Sequence, residues 1–304
     1  MEDLVMDAYK RYQKEIKDKK ERQALEKLSE KYALQEFNVE VREKHVVGLS
    51  IRFKGINEIP KEVENFPELT LLDLSRNQIS KICFLINLKK LKMLRLRENK
   101  IQEIEGLENC TEIIELDLSE NLIRDIKGLY NLWKLESLEL SRNKIQDISG
   151  LDKLRNLKIL KMNGNPIKKI QNLDYLTKLE TLLLAKTGLK KIEGLDNLSG
   201  LKELNLSLNN IEKIEGLDNN GVLRLLNLAD NHIIELENLG HLTFLQEISL
   251  VRNRFSIEDL RYSLKPAKDV VDYCHQKADR KKSNMDFQQK VKKERDAFQI
   301  KQEL

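Results

Sequence analysis

The side chains of this 304-residue chain that could carry chemistry are four histidines, three cysteines and a set of closely spaced acids. His45, His232, His241 and His275 are scattered, and none stands beside a Cys, Ser or Glu at a spacing that would build a proton relay or a metal site. His232 is expected to face solvent. Cys83, Cys110 and Cys274 lie far apart with no CxxC pair, which argues against a disulfide framework and a zinc site. Inert packing is the expected role of Cys110 and Cys274. Glu115 and Asp117 have the spacing of paired glycosidase carboxylates, but that chemistry needs a cleft and one acid shielded from water. No HExxH, P-loop, GxGxxG or GxSxG string occurs. The sequence therefore predicts no catalytic residue, no metal ligand and no cofactor, and the chain is not expected to be an enzyme.

The elements that would position any binding residue follow from composition. Charged residues make up 34% of the chain, yet 54 Lys+Arg against 50 Asp+Glu leave a net charge of only +4. Leucine and isoleucine supply most of the apolar material and aromatics are 5%, which suggests a repeated core. No apolar run approaches the length of a membrane span. The start, MEDLVMDAYKRYQKE, has acids at once and no apolar secretory core. A cytoplasmic location is expected.

The repeat is explicit. The string LxxLxLxxNxI starts at Leu69, Leu91, Ile113, Leu135, Leu157, Leu179, Leu201, Leu223 and Leu245, every step being 22 residues. A degenerate copy precedes it (Val46, Leu49, Ile51, Ile56, Ile59) and runs one residue longer through Pro60. LxxLxL alternates at period two, as a half-buried strand does, and such strands bury their inner face only by stacking laterally. At about 4.8 Å per strand, ten copies make a sheet roughly 45–50 Å long. The second half, IxxIxGLxxL, returns the chain on the convex side in short 3₁₀ or helical segments. Gly106, Gly128, Gly150, Gly194 and Gly216 mark a turn there that needs an unusual backbone. Phe84 holds that place in the first of these turns, which is therefore expected to differ. Asn77, Asn99, Asn121, Asn143, Asn165, Asn209, Asn231 and Asn253 should form a side-chain ladder that satisfies buried backbone groups. Thr187 with Gly188 breaks the ladder, and an altered loop is expected there.

Over residues 46–255 these strings resemble the leucine-rich repeat family. Within it they are similar to the 22-residue subclass of protein phosphatase one regulatory subunits, axonemal dynein light chains and internalin-type domains. The resemblance implies an α/β solenoid, a curved horseshoe of about ten parallel concave strands with helical caps at both ends. It also implies a protein partner. The rivals it raises are a regulatory subunit of a phosphatase-like enzyme, a cytoskeletal or motor-associated adaptor using the terminal helices, and an extracellular adhesion module, which the missing signal opposes.

The expected organisation is an N-terminal helical extension and cap (1–45), the solenoid (46–255), a C-terminal helical cap (256–275) and a basic helical tail (276–304). In the first part, Val5, Tyr9, Tyr12 and Ile16 have helical spacing, as do Leu25, Leu28 and Tyr32, while Phe37, Val39 and Val41 alternate as a strand. After Ser256, a helix N-cap, Ile257, Leu260 and Leu264 are expected to cover the last repeat. Pro266 ends or redirects that helix, and Val270, Val271 and Cys274 suit a second short one. The tail holds nine Lys/Arg and five Asp/Glu, the whole net charge of the chain. Its bases are interrupted by acids, and Phe287, Val291 and Phe298 make a stripe. A solvated amphipathic helix fits better than a nucleic-acid or membrane element.

Binding residues must come from the concave face, where side chains between the inward leucines point. The expected contact set is Arg95, Glu115, Asp117, Glu139, Ile159, Lys161, Leu183 and Leu225: an acidic patch followed by exposed aliphatics. The competing reading is a self-satisfied salt ladder, Asp73–Arg95–Asp117 and Glu139–Lys161. Tyr130 and Trp133 on the convex side are a candidate secondary contact. The partner is expected to be a protein rather than nucleic acid or membrane, bound by a monomer.

Overall fold

The structure, a computed structural model, describes residues 7–302, with side chains described except at 291 and 293–302. Each LxxLxL half makes one short strand. Eleven strands form one sheet in chain order: β1 (Val39–Arg42), β2 (His45–Ser50), β3 (Leu71–Asp73), β4 (Met93–Arg95), β5 (Glu115–Asp117), β6 (Ser137–Glu139), β7 (Ile159–Lys161), β8 (Thr181–Leu183), β9 (Glu203–Asn205), β10 (Leu225–Asn227) and β11 (Glu247–Ser249). β1 lies antiparallel on β2, and the ten strands from β2 onward are parallel. From β3 on, each residue sits beside its equivalent 22 positions away, as in Leu94 beside Leu116. The inward leucines, Leu140 among them, are fully buried in one continuous core. This is the expected leucine-rich repeat horseshoe.

The convex halves are shorter than helices. Each closes in a single turn with an i+3 to i bond, such as Leu132 N–H to Leu129 O at 2.9 Å, and only Lys61–Asn65 extends into a 3₁₀ helix. The glycine of that turn is required by its neighbour: a Cβ on Gly106 would stand 2.4 Å from the carbonyl oxygen of Ile82. Asn172 and Asn238 solve the same problem by donating Nδ2–H to the equivalent oxygens, of Ile148 and Ile214, at 2.7 Å each. Phe84 departs from expectation, because it adopts the same left-handed backbone at φ +58. The longer unit before it leaves a hollow lined by Ile59, Pro60 and Phe84 itself.

The asparagine ladder is present. Asn121 donates Nδ2–H to Leu96 O of the preceding unit and to Leu118 O of its own, both at 3.0 Å, and its Oδ1 accepts Ile101 N–H at 3.0 Å. At Thr187 the pattern fails as expected. Thr187 Oγ1 reaches Leu184 O at 3.0 Å, and Gly188 follows at φ +92. Asn209 Oδ1 then accepts the N–H groups of Thr187, Gly188 and Leu189. Ile167 N–H, lacking the ladder acceptor, turns to Asn165 O at 2.9 Å.

At the N-terminal end, α1 (Ala8–Tyr12) and α2 (Lys19–Tyr32) dock with Ile16, Leu25 and Leu28 buried and Tyr9, Tyr12 and Tyr32 half-buried. Val5 lies outside the described residues. Phe37 sits exposed in a 3₁₀ turn before β1. At the other end, α3 (Ile257–Ser263) and α4 (Ala267–Gln302) flank Pro266. Two expectations are corrected here. Ile257, Leu260 and Leu264 do not cover the last repeat but are exposed, because α3 turns Asp259 and Ser263 inward instead. The cover comes from Val270, Val271, Tyr273 and Cys274 of α4. The second short helix and the tail are one helix of 36 residues, with no break at 275. Phe287 on it is exposed; the side chains of Val291 and Phe298 lie outside those described.

Candidate protein-binding face

The concave face is built by two side-chain columns, one at the first residue of each short strand and one at the third. In the third-residue column, Arg95, Asp117, Glu139, Lys161 and Leu183 are direct lateral neighbours across β4–β8. In the first-residue column, Glu115, Ser137, Ile159 and Thr181 are neighbours across β5–β8, and Leu225 stands two strands further on, between Glu203 and Glu247. The structure thus brings together Arg95, Glu115, Asp117, Glu139 and Lys161, which line one open hollow of about 310 Å³ with Arg97 and Ser137. It does not join Ile159, Leu183 and Leu225 into a stretch, since polar residues separate Leu225 from the other two. Leu225 instead lines a second hollow of about 230 Å³ with Glu203, Asn205, Asn227, Glu247 and Ser249.

The electrostatics divide the acids into two kinds. Asp117 Oδ1 accepts Ser119 N–H at 2.9 Å and its hydroxyl at 2.6 Å, and Glu139 Oε1 accepts Ser141 N–H at 2.9 Å. These are local turns that satisfy the backbone where each strand ends. Asp73, Asn205 and Asn227 do the same. The recurring Asp/Asn-Leu-Ser string carried this signal, which the sequence reading missed. Glu139 also lies 3.8 Å from Lys161, and along the rim Arg76 pairs with Glu98 and Arg97 with Glu120 at 2.8 and 2.7 Å. The hydrogen bond that Arg97 donates to the Glu120 carboxylate holds its guanidinium above its ordinary pKa. Arg95 and Glu115 have no ion-pair partner among the described residues, and both are exposed.

On the convex side Tyr130 and Trp133 are exposed, with Lys134 Nζ 4.9 Å from the Trp133 ring. A third exposed aromatic, Tyr175 with Arg155 at 5.6 Å, was legible as the odd residue in an asparagine-rich column but was not singled out. His232 is half-buried rather than open to solvent, and His241 Nε2 lies 2.9 Å from Leu217 O. Burial pushes the Cys110 thiol up to about 11 and the Cys274 thiol up to about 12, so both pack as neutral side chains. No three His, Cys, Asp or Glu side chains among the described residues converge as metal ligands.

The leucine-rich repeat family, in its two-copy description, matches residues 89–131 and 133–175. Among solved structures, an internalin from Listeria monocytogenes is similar at 26% identity and a TM-score of 0.66, covering 87% of this chain and 76% of its own. A leucine-rich repeat protein of Leptospira interrogans is similar at 25% identity and 0.63, with 72% of this chain and 58% of that one covered. A second Listeria monocytogenes internalin, C2, gives 25% and 0.55 over 73% of this chain and 98% of its own. No curated protein matches. Residues 89–175 thus match leucine-rich repeats, and the chain as a whole has the leucine-rich repeat fold.

Proposed function

We propose that this chain is a non-catalytic cytoplasmic scaffold that binds a protein partner through its concave face. The observation that carries the reading is the 310 Å³ hollow, where Arg95 and Glu115 have no ion-pair partner among the described residues while Glu139 and Arg97 are matched by Lys161 and Glu120. Matched pairs gain little from a partner, whereas unmatched charges steer one. Ile159, Leu183 and Leu225 add half-buried apolar contacts on the same face. An open face suits a protein surface better than a small substrate, which needs an enclosing pocket. The three cysteines are unpaired, in keeping with a reducing compartment.

The test compares partner capture by wild type, a Glu115→Lys, Asp117→Lys, Glu139→Lys triple variant and Leu183→Asp, each checked for fold by circular dichroism. The triple variant should slow association and flatten its salt dependence, and Leu183→Asp should speed dissociation. Wild-type binding by both folded variants would reject the concave face. The adaptor reading keeps one supporting observation: residues 278–290 of α4 are exposed along their whole length. Truncation after Lys282 would abolish capture if that helix is the contact. The phosphatase-regulator reading calls for aromatic anchors, and the concave columns of β3–β11 carry none.

A further inference from the structure

The parallel sheet ends differently on its two sides. Its N-terminal edge is sealed by β1, which carries Glu40 and Arg42 and shifts register between Glu40 and Val41. Charges and a register shift are the features that blunt an edge strand. At the other side β11 pairs with β10 and, among the described residues, with no further strand. Residues Glu247–Ser249 hold no proline, no lysine and no bulge. The central residue of every short strand from β3 to β10 is buried, whereas Ile248 of β11 is half-buried. α4 covers the convex half of the last repeat, where His275 packs on Gly240, and leaves the strand half open.

The adjoining helix adds apolar surface. Asp259 and Ser263 face inward on α3, so Ile257, Leu260 and Leu264 form one stripe turned away from the last repeat, 79%, 48% and 69% exposed. Phe244, 64% exposed, lies just before β11. Large apolar side chains gathered at one end of a chain mark a contact surface.

We propose that this end is a dimer interface, where a second copy of the chain docks edge to edge. β11 pairs antiparallel with its counterpart about a two-fold axis through Ile248, and the two α3 stripes meet on the convex side. The second copy is favoured by self-complementarity, which a two-fold contact demands. The axis sets Ile248 against Ile248 and Glu247 against Ser249, so like charges do not face each other across the strands. It also reverses α3, bringing Glu258 in the first turn of one helix toward Arg261 in the last turn of the other. Pairing continues both cores across the junction and uses the same unfinished surface on each copy. The monomer expected from the sequence becomes the dissociated state.

Sedimentation equilibrium of the full chain from about 1 to about 200 µM should show the mass rising from 35.6 kDa toward twice that value, spanning the range of a moderate self-association. Ile248→Lys and Leu260→Glu should each weaken the dimer at least about tenfold, while Glu115→Lys on the concave face leaves it unchanged. Should Ile248→Lys perturb the circular dichroism spectrum, Ile257→Asp on the exposed helix face reports in its place. A protomer mass across the whole range overturns the proposal, as does a dimer that survives both the edge and the helix substitutions.

Discussion

The two ends of the solenoid meet one requirement with different chemistry. At the N-terminal end Glu21, 1% exposed, reaches from α2 to accept Val46 N–H at 2.9 Å and holds His45 Nδ1 at 2.7 Å. At the C-terminal end Asp259, 2% exposed, accepts Leu236 N–H at 3.0 Å, the Tyr273 hydroxyl at 2.7 Å and Lys277 Nζ at 2.8 Å. Inside the array, backbone groups are satisfied by the next unit's asparagine. At each end a helix adds a buried carboxylate that accepts a further N–H, of Val46 at one and of Leu236 at the other. The partners differ, though: the histidine His45 at one end, and the lysine Lys277 with the Tyr273 hydroxyl at the other. Covering the core and sealing the sheet edge are also separate tasks, and only the N-terminal end completes both.

The largest effect should come from the middle. Leu140→Ala removes a fully buried side chain and should cost about 2–5 kcal/mol. Denaturant unfolding should broaden, since loss passes to neighbouring units. A cost below about 0.5 kcal/mol would place Leu140 outside the core. Next in size is Asp259→Ala, which strands Lys277 and Leu236 N–H and should cost about 3 kcal/mol. Hydrogen exchange should then show lost protection at Val270–Cys274 with β2–β6 unchanged. Glu21→Ala should do the reverse, at about 2 kcal/mol. If either variant loosened both ends, the ends would be coupled and the contrast between them would fail.

Acidity should separate the ends without mutation. The hydrogen bond from His45 Nδ1–H to the Glu21 carboxylate raises His45 above its ordinary value. A raised histidine stabilises fully below its unfolded pKa of about 6.5 and loses that contribution as pH climbs through the folded value. Burial would raise the Asp259 carboxyl, but Lys277, Leu236 N–H and Tyr273 together carry it below its ordinary value of 3.8. Its contribution is present above that value and disappears on acidification through the lower folded one. Exchange at Val46 should therefore quicken as pH rises from about 6.5 through the raised His45 value, after correction for intrinsic rates, and α4 should loosen only as pH falls through the lowered Asp259 value. Loss of both ends in one pH window would contradict the assignment. The smallest effect is Thr187→Asn, which offers Nδ2–H to Met162 O and Leu184 O and should stabilise by about 0.5–1 kcal/mol. A neutral or destabilising result in a denaturant titration would mean that Gly188 has already fixed its own turn.

The periodic parts of the molecule were readable because every copy repeats the same demand. Leu140, Asn121 and Gly106 are each one of a column, and a column averages out local accidents. The ends have no second copy to compare. α3 shows the cost of that: its apolar residues read as cover because apolar residues are normally buried, but a buried acid can claim the inward face when it finds a lysine, a tyrosine and a backbone N–H. Pro266 was legible as a redirection, while the continuity of α4 was not, since the polar run 279–284 separates Val270–Cys274 from the stripe that begins at Phe287. On the concave face the positions were readable and the roles were not. Asp117 and Glu139 have the charge of a ligand site and the bonds of a turn, a role marked by the serine two residues after each and absent at Glu115.

Among the described side chains, the last of α4 to bond the repeats is Lys281, which donates to Glu235 and Glu237. From Lys282 to Gln302 the helix then runs on for roughly 30 Å at 1.5 Å per residue. A rod fixed at one end is a lever. A tilt of about 10° at the Asp259–Lys277 anchor carries the far end roughly 5 Å sideways over that length. Adjustments too small to disturb the repeats are thus magnified into displacements as large as the spacing between two strands.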